Sequence, residues 1–147
     1  MSDLSLFRYS YPIEIRFADL DALEHVNHAK YFTYMETARI HYSRDVLGWH
    51  GRRSELGMIV AQALCDYKLP LVFGDEADCY LRTSRIGTKS FDFDYLIVRR
   101  IDHAIAAIGK TVQVAYDYQH NKSIPVPDKW REAIVNYEHT LEGQDRV

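Results

Sequence analysis

Residues 16–31, RFADLDALEHVNHAKY, constrain this chain more than any other stretch. Just ahead of and into it, Ile13-Glu14-Ile15-Arg16-Phe17 alternates, placing Ile13, Ile15 and Phe17 on one face and charges on the other, the pattern of a half-buried strand. A polar loop follows, carrying Asp19, Asp21, Glu24, His25, Asn27 and His28. From about Ala29 the period turns helical, with Tyr31, Tyr34 or Met35, Ala38 and Tyr42 recurring at intervals of three and four as one apolar stripe. The loop therefore delivers a carboxylate to the open start of a helix. Unpaired N–H groups and a partial positive charge at that start can hold an oxygen that turns negative during a reaction. A carboxylate facing such a pocket is the pair of parts that acyl-transfer hydrolysis needs.

Several other function classes lose support. The net charge is −3 and the basic residues are scattered, so there is no nucleic-acid footprint. The first residues, MSDLSLFRYS, hold neither a basic n-region nor an apolar run of secretory length, and no segment approaches the ~18 apolar residues of a membrane span. A cytoplasmic protein is expected. Cys65 and Cys79 lack metal-type spacing and read as reduced structural residues. With 147 residues the chain is sized for one domain, 1–147, with a real core. Its 11 tyrosines suit a shallow core, or a surface buried against a second copy.

The order of elements follows from the periods. Residues 7–18 read as a strand entered through an arm that bends at Pro12. The helix should run from about Ala29 to Leu47 and stop at Gly48, roughly 27 Å at 1.5 Å per residue. No other segment before residue 127 looks helical. After the polar link 49–57 the period becomes two: a strand from Ile59 ending near Pro70, a turn at Phe73-Gly74-Asp75, and a strand from Ala77 to about Arg85. Gly87 then marks a bulge or a close backbone approach by a ligand. Phe91, Phe93, Tyr95 and Ile97 share a face, Asp102-His103 turns the chain, and Ile105–Tyr118 places Val112, Val114, Tyr116 and Tyr118 together. Beyond the IPVP link, Asp128 can cap a short helix reaching about His139, with a polar, frayed tail after it. The sum is an α+β layered arrangement.

Asp19-Leu20-Asp21, His25-Val26-Asn27-His28 and Lys30-Tyr31, followed by Tyr34-Met35-Glu36-Thr37-Ala38-Arg39, resemble the signature of the hotdog-fold acyl-CoA thioesterases. The nearer branch includes 4-hydroxybenzoyl-CoA thioesterase and bacterial long-chain acyl-CoA thioesterases. The resemblance implies a hotdog fold, a curved antiparallel sheet wrapped around one long central helix, paired into a homodimer with a homotetramer also open. It implies an acyl-CoA substrate, no cofactor, and an acyl site where the joined sheets meet. By the same resemblance Asp21 is the catalytic carboxylate, His28 supplies the helix-start N–H that polarises the thioester carbonyl, and Tyr31 packs behind it. Gly87, Thr88, Lys89 and Ser90 fall where relatives contact the pantetheine arm and phosphates. Two departures stand out: Glu24 where many relatives have Gly, and His28 where many have Asn.

The residues also carry plainer readings. Asp21 is a favoured turn or cap residue, and Asp19 reads as a structural brace for the loop. His25 and His28 lack the further ligands of a zinc site, so no metal is expected. His25 braces the loop or touches substrate, and Asn27 is a candidate N-cap. Glu36 and Arg39, three apart, read as a helix-surface pair ahead of a role at a partner subunit's site. Arg85, Lys89, Arg99 and Arg100 are ordinary surface charges by default, and Thr88 and Ser90 suit a strand edge. A non-catalytic binding module for acyl-CoA or an acyl-carrier protein is the rival reading. A hotdog hydratase is a third, whose Asp-x-Asn-x-x-His pattern is absent.

Overall fold

The computed structural model describes residues 3–52, 56–139 and 141. Strand β1 (Tyr9–Ile13) is followed by helix α1 (Lys30–Asp45), strands β2 (Gly57–Tyr67), β3 (Ala77–Ile86), β4 (Ser90–Arg99), β5 (Ala104–Asp117) and β6 (Lys122–Ser123), and helix α2 (Asp128–Tyr137). The strands form one antiparallel sheet in the order β1-β3-β4-β5-β2, with β6 extending along β5.

Helix α1 forms because its apolar stripe has a sheet to lie on. Tyr31, Tyr34, Met35, Ala38 and Tyr42 are buried in one cluster with Cys79 and Leu81 of β3 and with Phe91, Phe93, Tyr95 and Ile97 of β4. It ends at Asp45, two residues short of the Leu47 expected, and Gly48, at a φ of +70° that suits a residue without a Cβ, closes the turn that follows by donating its N–H to the Arg44 carbonyl. The curved sheet wraps this helix, which is the hotdog architecture. Among the described residues no helix is long and apolar enough to cross a membrane.

The structure corrects several expectations. The strand read over 7–18 is only Tyr9–Ile13, and Pro12 sits within it on the sheet edge, where its missing donor costs nothing. Ile13 and Ile15 are buried, but Phe17 is 78% exposed in a 3-10 turn, Phe17–Asp19. Its cause is Asp19, whose carboxylate accepts the Arg16 backbone N–H and two guanidinium bonds, curling the chain away from the sheet. A second 3-10 turn, Leu4–Leu6, is likewise absent from the periodic reading. It packs with Phe7 over Leu96 and Val98, so β4 is buried on both faces.

Gly87 makes no bulge. It begins the turn between β3 and β4, donating its N–H to the Ser90 carbonyl at 2.7 Å, and the register shift falls earlier, between Thr83 and Arg85. On β5 the residues Val112 and Val114 do share a face, but it is the outward one; polar Thr111 and Gln113 are the buried neighbours. Helix α2 has Pro127 at its cap position with no side-chain cap bond, so Asp128 is its first residue and not its cap, and the helix ends at Tyr137. The expected frayed tail, 142–147, lies outside the described residues.

Strand β2 is the exposed edge of the sheet, with Ile59, Val60, Leu64 and Tyr67 all more than a third exposed. An uncovered edge of this length presents unpaired backbone groups together with apolar side chains.

Candidate active site

The loop between β1 and α1 is held at both ends. Asp19 is buried: besides Arg16 it accepts the Tyr34 hydroxyl at 2.8 Å, and its carbonyl takes the Asn27 N–H. Burial by itself pushes the Asp19 pKa up, but the bonds from Arg16 and Tyr34 outweigh it and hold the carboxyl below its ordinary value. Asp19 is thus the loop's structural anchor, in keeping with the sequence reading. The far side is clamped to the 69–75 segment by the Val26 N–H on the Leu71 carbonyl and by a bridge between His25 and Val72.

Asp21 sits at the base of the tight turn that this clamping creates. Its N–H donates to the His25 carbonyl at 2.8 Å, and Glu24 at the turn's tip has a φ of +65°. Glu24 thus adopts the left-handed conformation usually left to glycine, at some strain cost. Carboxylate oxygen Oδ1 accepts the Leu23 N–H at 2.9 Å and, more weakly, that of His25 at 3.4 Å. Among the described residues Oδ2 receives no hydrogen bond.

At the start of α1 the amides are shared unequally. Asn27 is not the cap of α1, whose cap position is Ala29 with no side-chain bond; it makes the turn leading into the helix, its Oδ1 accepting the Ala29 N–H at 2.9 Å and its carbonyl the Lys30 N–H at 2.9 Å. The His28 N–H has no acceptor among the described residues. The His28 carbonyl is fixed from the other side by the Tyr67 hydroxyl at 2.8 Å. Tyr31 is buried and meets the Tyr67 ring edge-on at 5.0 Å. Burial first, with Cys65 adding to it, pushes the Tyr67 hydroxyl up to about 12, so it stays protonated and able to donate.

These residues converge. Asp21, His25, His28, Tyr31 and Tyr67 line one open depression of about 310 Å³, floored by the 68–70 segment. On its other side Asp21 borders a larger, more apolar depression of about 660 Å³ with Phe17, Leu23 and Phe73. Among the described residues no three His, Cys, Asp or Glu side chains gather as a metal site would require. Tyr67 and Lys68 were missed by the sequence reading: both sit at a strand end, where alternation gives no hint of a neighbour some forty residues away. The only hint was the polar interruption of the apolar run just before Pro70.

The other group expected at the site is elsewhere. Tyr67 pairs with Ala107, Ala107 with Ile97 and Ile97 with Cys79, so the site lies level with the start of β3. Gly87, Thr88, Lys89 and Ser90 follow the far end of that strand, roughly 20 Å away at ~3.3 Å per residue. There the Val126 N–H donates to the Thr88 carbonyl, and Arg131 to the Gly87 carbonyl. One chain does not bring them to Asp21.

A family model described as the thioesterase-like superfamily matches residues 15–134, most of the chain and all of the site just described. The chain belongs to the thioesterase-like superfamily. A thioesterase from Thermus thermophilus, crystallised with coenzyme A and Zn, is 32% identical, covering 87% of this chain and 98% of that one, with a TM-score of 0.75. The PA5185 protein of Pseudomonas aeruginosa superposes with a TM-score of 0.85 at 23% identity, over 94% of this chain and 96% of that one. A putative esterase of Aquifex aeolicus is 28% identical over 67% of this chain and 77% of its own. In this thioesterase-superfamily chain the loop and helix α1 lie inside the matched region, which begins at Ile15, just past the end of β1.

Proposed function

We propose that the chain hydrolyses the thioester of an acyl-CoA to a carboxylic acid and coenzyme A. The observation that carries this reading is that Asp21 and His28 border a single depression while, among the described residues, one Asp21 carboxylate oxygen and the His28 N–H have no hydrogen-bond partner. The thioester carbonyl sits on that N–H, where a donor is worth about 3 kcal/mol as charge develops on the oxygen. Asp21 either takes a proton from the attacking water or attacks directly to give a short-lived anhydride, which water then cleaves to release the acid and restore the Asp21 carboxylate. In both routes the C–S bond breaks with its electron pair leaving on sulfur. A thiolate is a good leaving group, so no strong acid is required.

The active form is a dimer joined along β2, with a tetramer also open. Paired antiparallel about a two-fold axis, each β2 sets its Gly57 end beside its partner's Tyr67 end. Gly57 and Ile59 are level with Tyr116 and Val114, and Val114 with Ser90. The 87–90 turn of one copy therefore approaches the His28–Tyr67 end of the other. This is how Gly87, Thr88, Lys89 and Ser90 reach the pantetheine arm and phosphates despite lying far from Asp21 in their own chain.

Incubating the protein with an acyl-CoA panel and a thiol reagent tests the proposal. Wild type should release CoA, and Asp21→Asn should lower the rate by roughly 10²-fold or more while still being stabilised thermally by ligand. Stabilisation of wild type without release would make the chain a binding module instead.

A further inference from the structure

Helix α1 and strand β2 run antiparallel, and the space between them does not end at the depression beside Asp21. Pairing with β5 shows which β2 side chains face the helix: Tyr67, Cys65, Ala63 and Val60 lie opposite Ala107, Gly109, Thr111 and Gln113. Tyr67 walls the first depression. Val60 and Ala63, with Phe32 and Met35 of α1, wall a second of about 300 Å³. The two are successive stations along the seam between α1 and β2, and the small Ala63 leaves the second one room.

The floor of the second station is polar. Arg39, whose side chain is only 14% exposed, donates from Nη1 to the Tyr95 hydroxyl at 3.2 Å, and that hydroxyl is 2.7 Å from Thr111 Oγ1. Glu36, its expected partner, does pair with it and lines the same depression, but as a long ion pair of 3.8 Å from a side chain that is 61% exposed. Other arginines of the sheet are served differently: Arg85 holds Asp92 through two bonds of 2.9 and 3.1 Å. Among the described residues the Arg39 guanidinium, with five N–H groups to offer, has a single hydrogen-bond acceptor, and that acceptor is neutral. A largely covered cation beside this depression, with only a long ion pair to Glu36, is poised for an oxygen atom brought by a ligand.

We propose that Arg39 is a specificity-determining residue that binds the far end of the acyl group and selects acyl groups ending in a hydrogen-bond-accepting oxygen. The inference rests on thioester hydrolysis at Asp21. Arg39 is eleven residues past His28, about 16 Å along the axis at ~1.5 Å per residue, and helical side chains lean back toward the N-terminus. The interval suits a medium-length chain lying along α1 with its thioester at the helix start. A bare methyl end at the same depth would cover the guanidinium from water without replacing the lost hydrogen bonds.

The test compares a medium-chain acyl-CoA ending in methyl with its ω-hydroxy and ω-carboxy counterparts of the same length. Wild type should favour an oxygen-ended substrate by roughly tenfold or more in kcat/KM. The carboxy and hydroxy arms show whether charge or hydrogen bonding dominates. Arg39→Met should bring the ratio close to one, and Arg39→Lys, which keeps charge but loses the planar fork, should leave it in between. Equal or greater turnover of the methyl-ended substrate by wild type overturns Arg39's role and leaves the hydrolysis standing. So does an Arg39→Met protein that loses self-association with its selectivity intact, which would make the residue an interface ion-pair partner. No turnover of any of the three overturns the hydrolysis itself.

Discussion

Asp19 and Asp21 stand two residues apart with the same chemistry, and the fold gives them opposite surroundings. Asp19 is sealed under Arg16 and Tyr34; Asp21 keeps an oxygen toward a depression. Spacing does not separate them, because either could cap or turn the loop. What separates them is the 3-10 turn that rotates Asp19 inward. Asp19→Asn should therefore cost about 1–3 kcal/mol in denaturant unfolding without removing any reacting group. Glu138 is the opposite electrostatic case. It is buried, its Oε1 accepts the Tyr42 hydroxyl at 2.8 Å and the Thr83 N–H at 3.2 Å, and its Oε2 is an orphan among the described residues. Burial raises its pKa above the ordinary 4.5, against the lowering effect of those bonds. Folding thus favours the protonated form, so this stabilisation is full below about pH 4.5 and is lost as pH rises through the folded value. Thermal melts between pH 4 and 8 should show Glu138→Gln gaining on wild type as pH rises; a constant difference would refute the sign.

At the scale of elements, α1 and β5 define how closely helix and sheet approach. A Cβ on Gly109 would run into the Sδ and Cε of Met35. Met35 is fully buried, so it has nowhere to swing without disturbing the cluster around it. Gly109→Val should cost about 1–3 kcal/mol, and Met35→Ala in the same chain should recover part of it, a coupling that a double-mutant cycle measures. The helix was legible because its stripe repeats over four turns. The strand before it was not: the alternation through Phe17 continues past Ile13 only as a pattern, and local bonds from Asp19 override it. A weak propensity signal yields to a carboxylate that gathers three donors from one neighbour.

For the whole molecule the open question is what covers β2. In the proposed dimer a second copy both covers the strand's exposed apolar residues and spans the distance between the 87–90 turn and Asp21. Ile59→Lys combined with Leu64→Lys places charge on the edge strand, a device that blocks edge pairing. Sedimentation should then show smaller assemblies, with acyl-CoA hydrolysis falling in parallel as the partner's turn leaves the site. A fully active monomer would refute shared sites.

The order of residue types determined a good deal: a helix of about four turns with a glycine just past its end, period-two segments that make an antiparallel sheet, and a carboxylate loop feeding the helix start. These are local properties, fixed by side-chain period and by what a glycine or asparagine does to the backbone next to it. Tertiary structure decided the rest. It chose which aspartate is buried, gave the Tyr67 hydroxyl to the His28 carbonyl, left the His28 N–H unclaimed, and set the 87–90 turn at the far end of the sheet. Each of those outcomes depends on strand register and on contacts between residues distant along the chain, where an ångström of displacement makes or breaks a hydrogen bond and no spacing in the sequence records it.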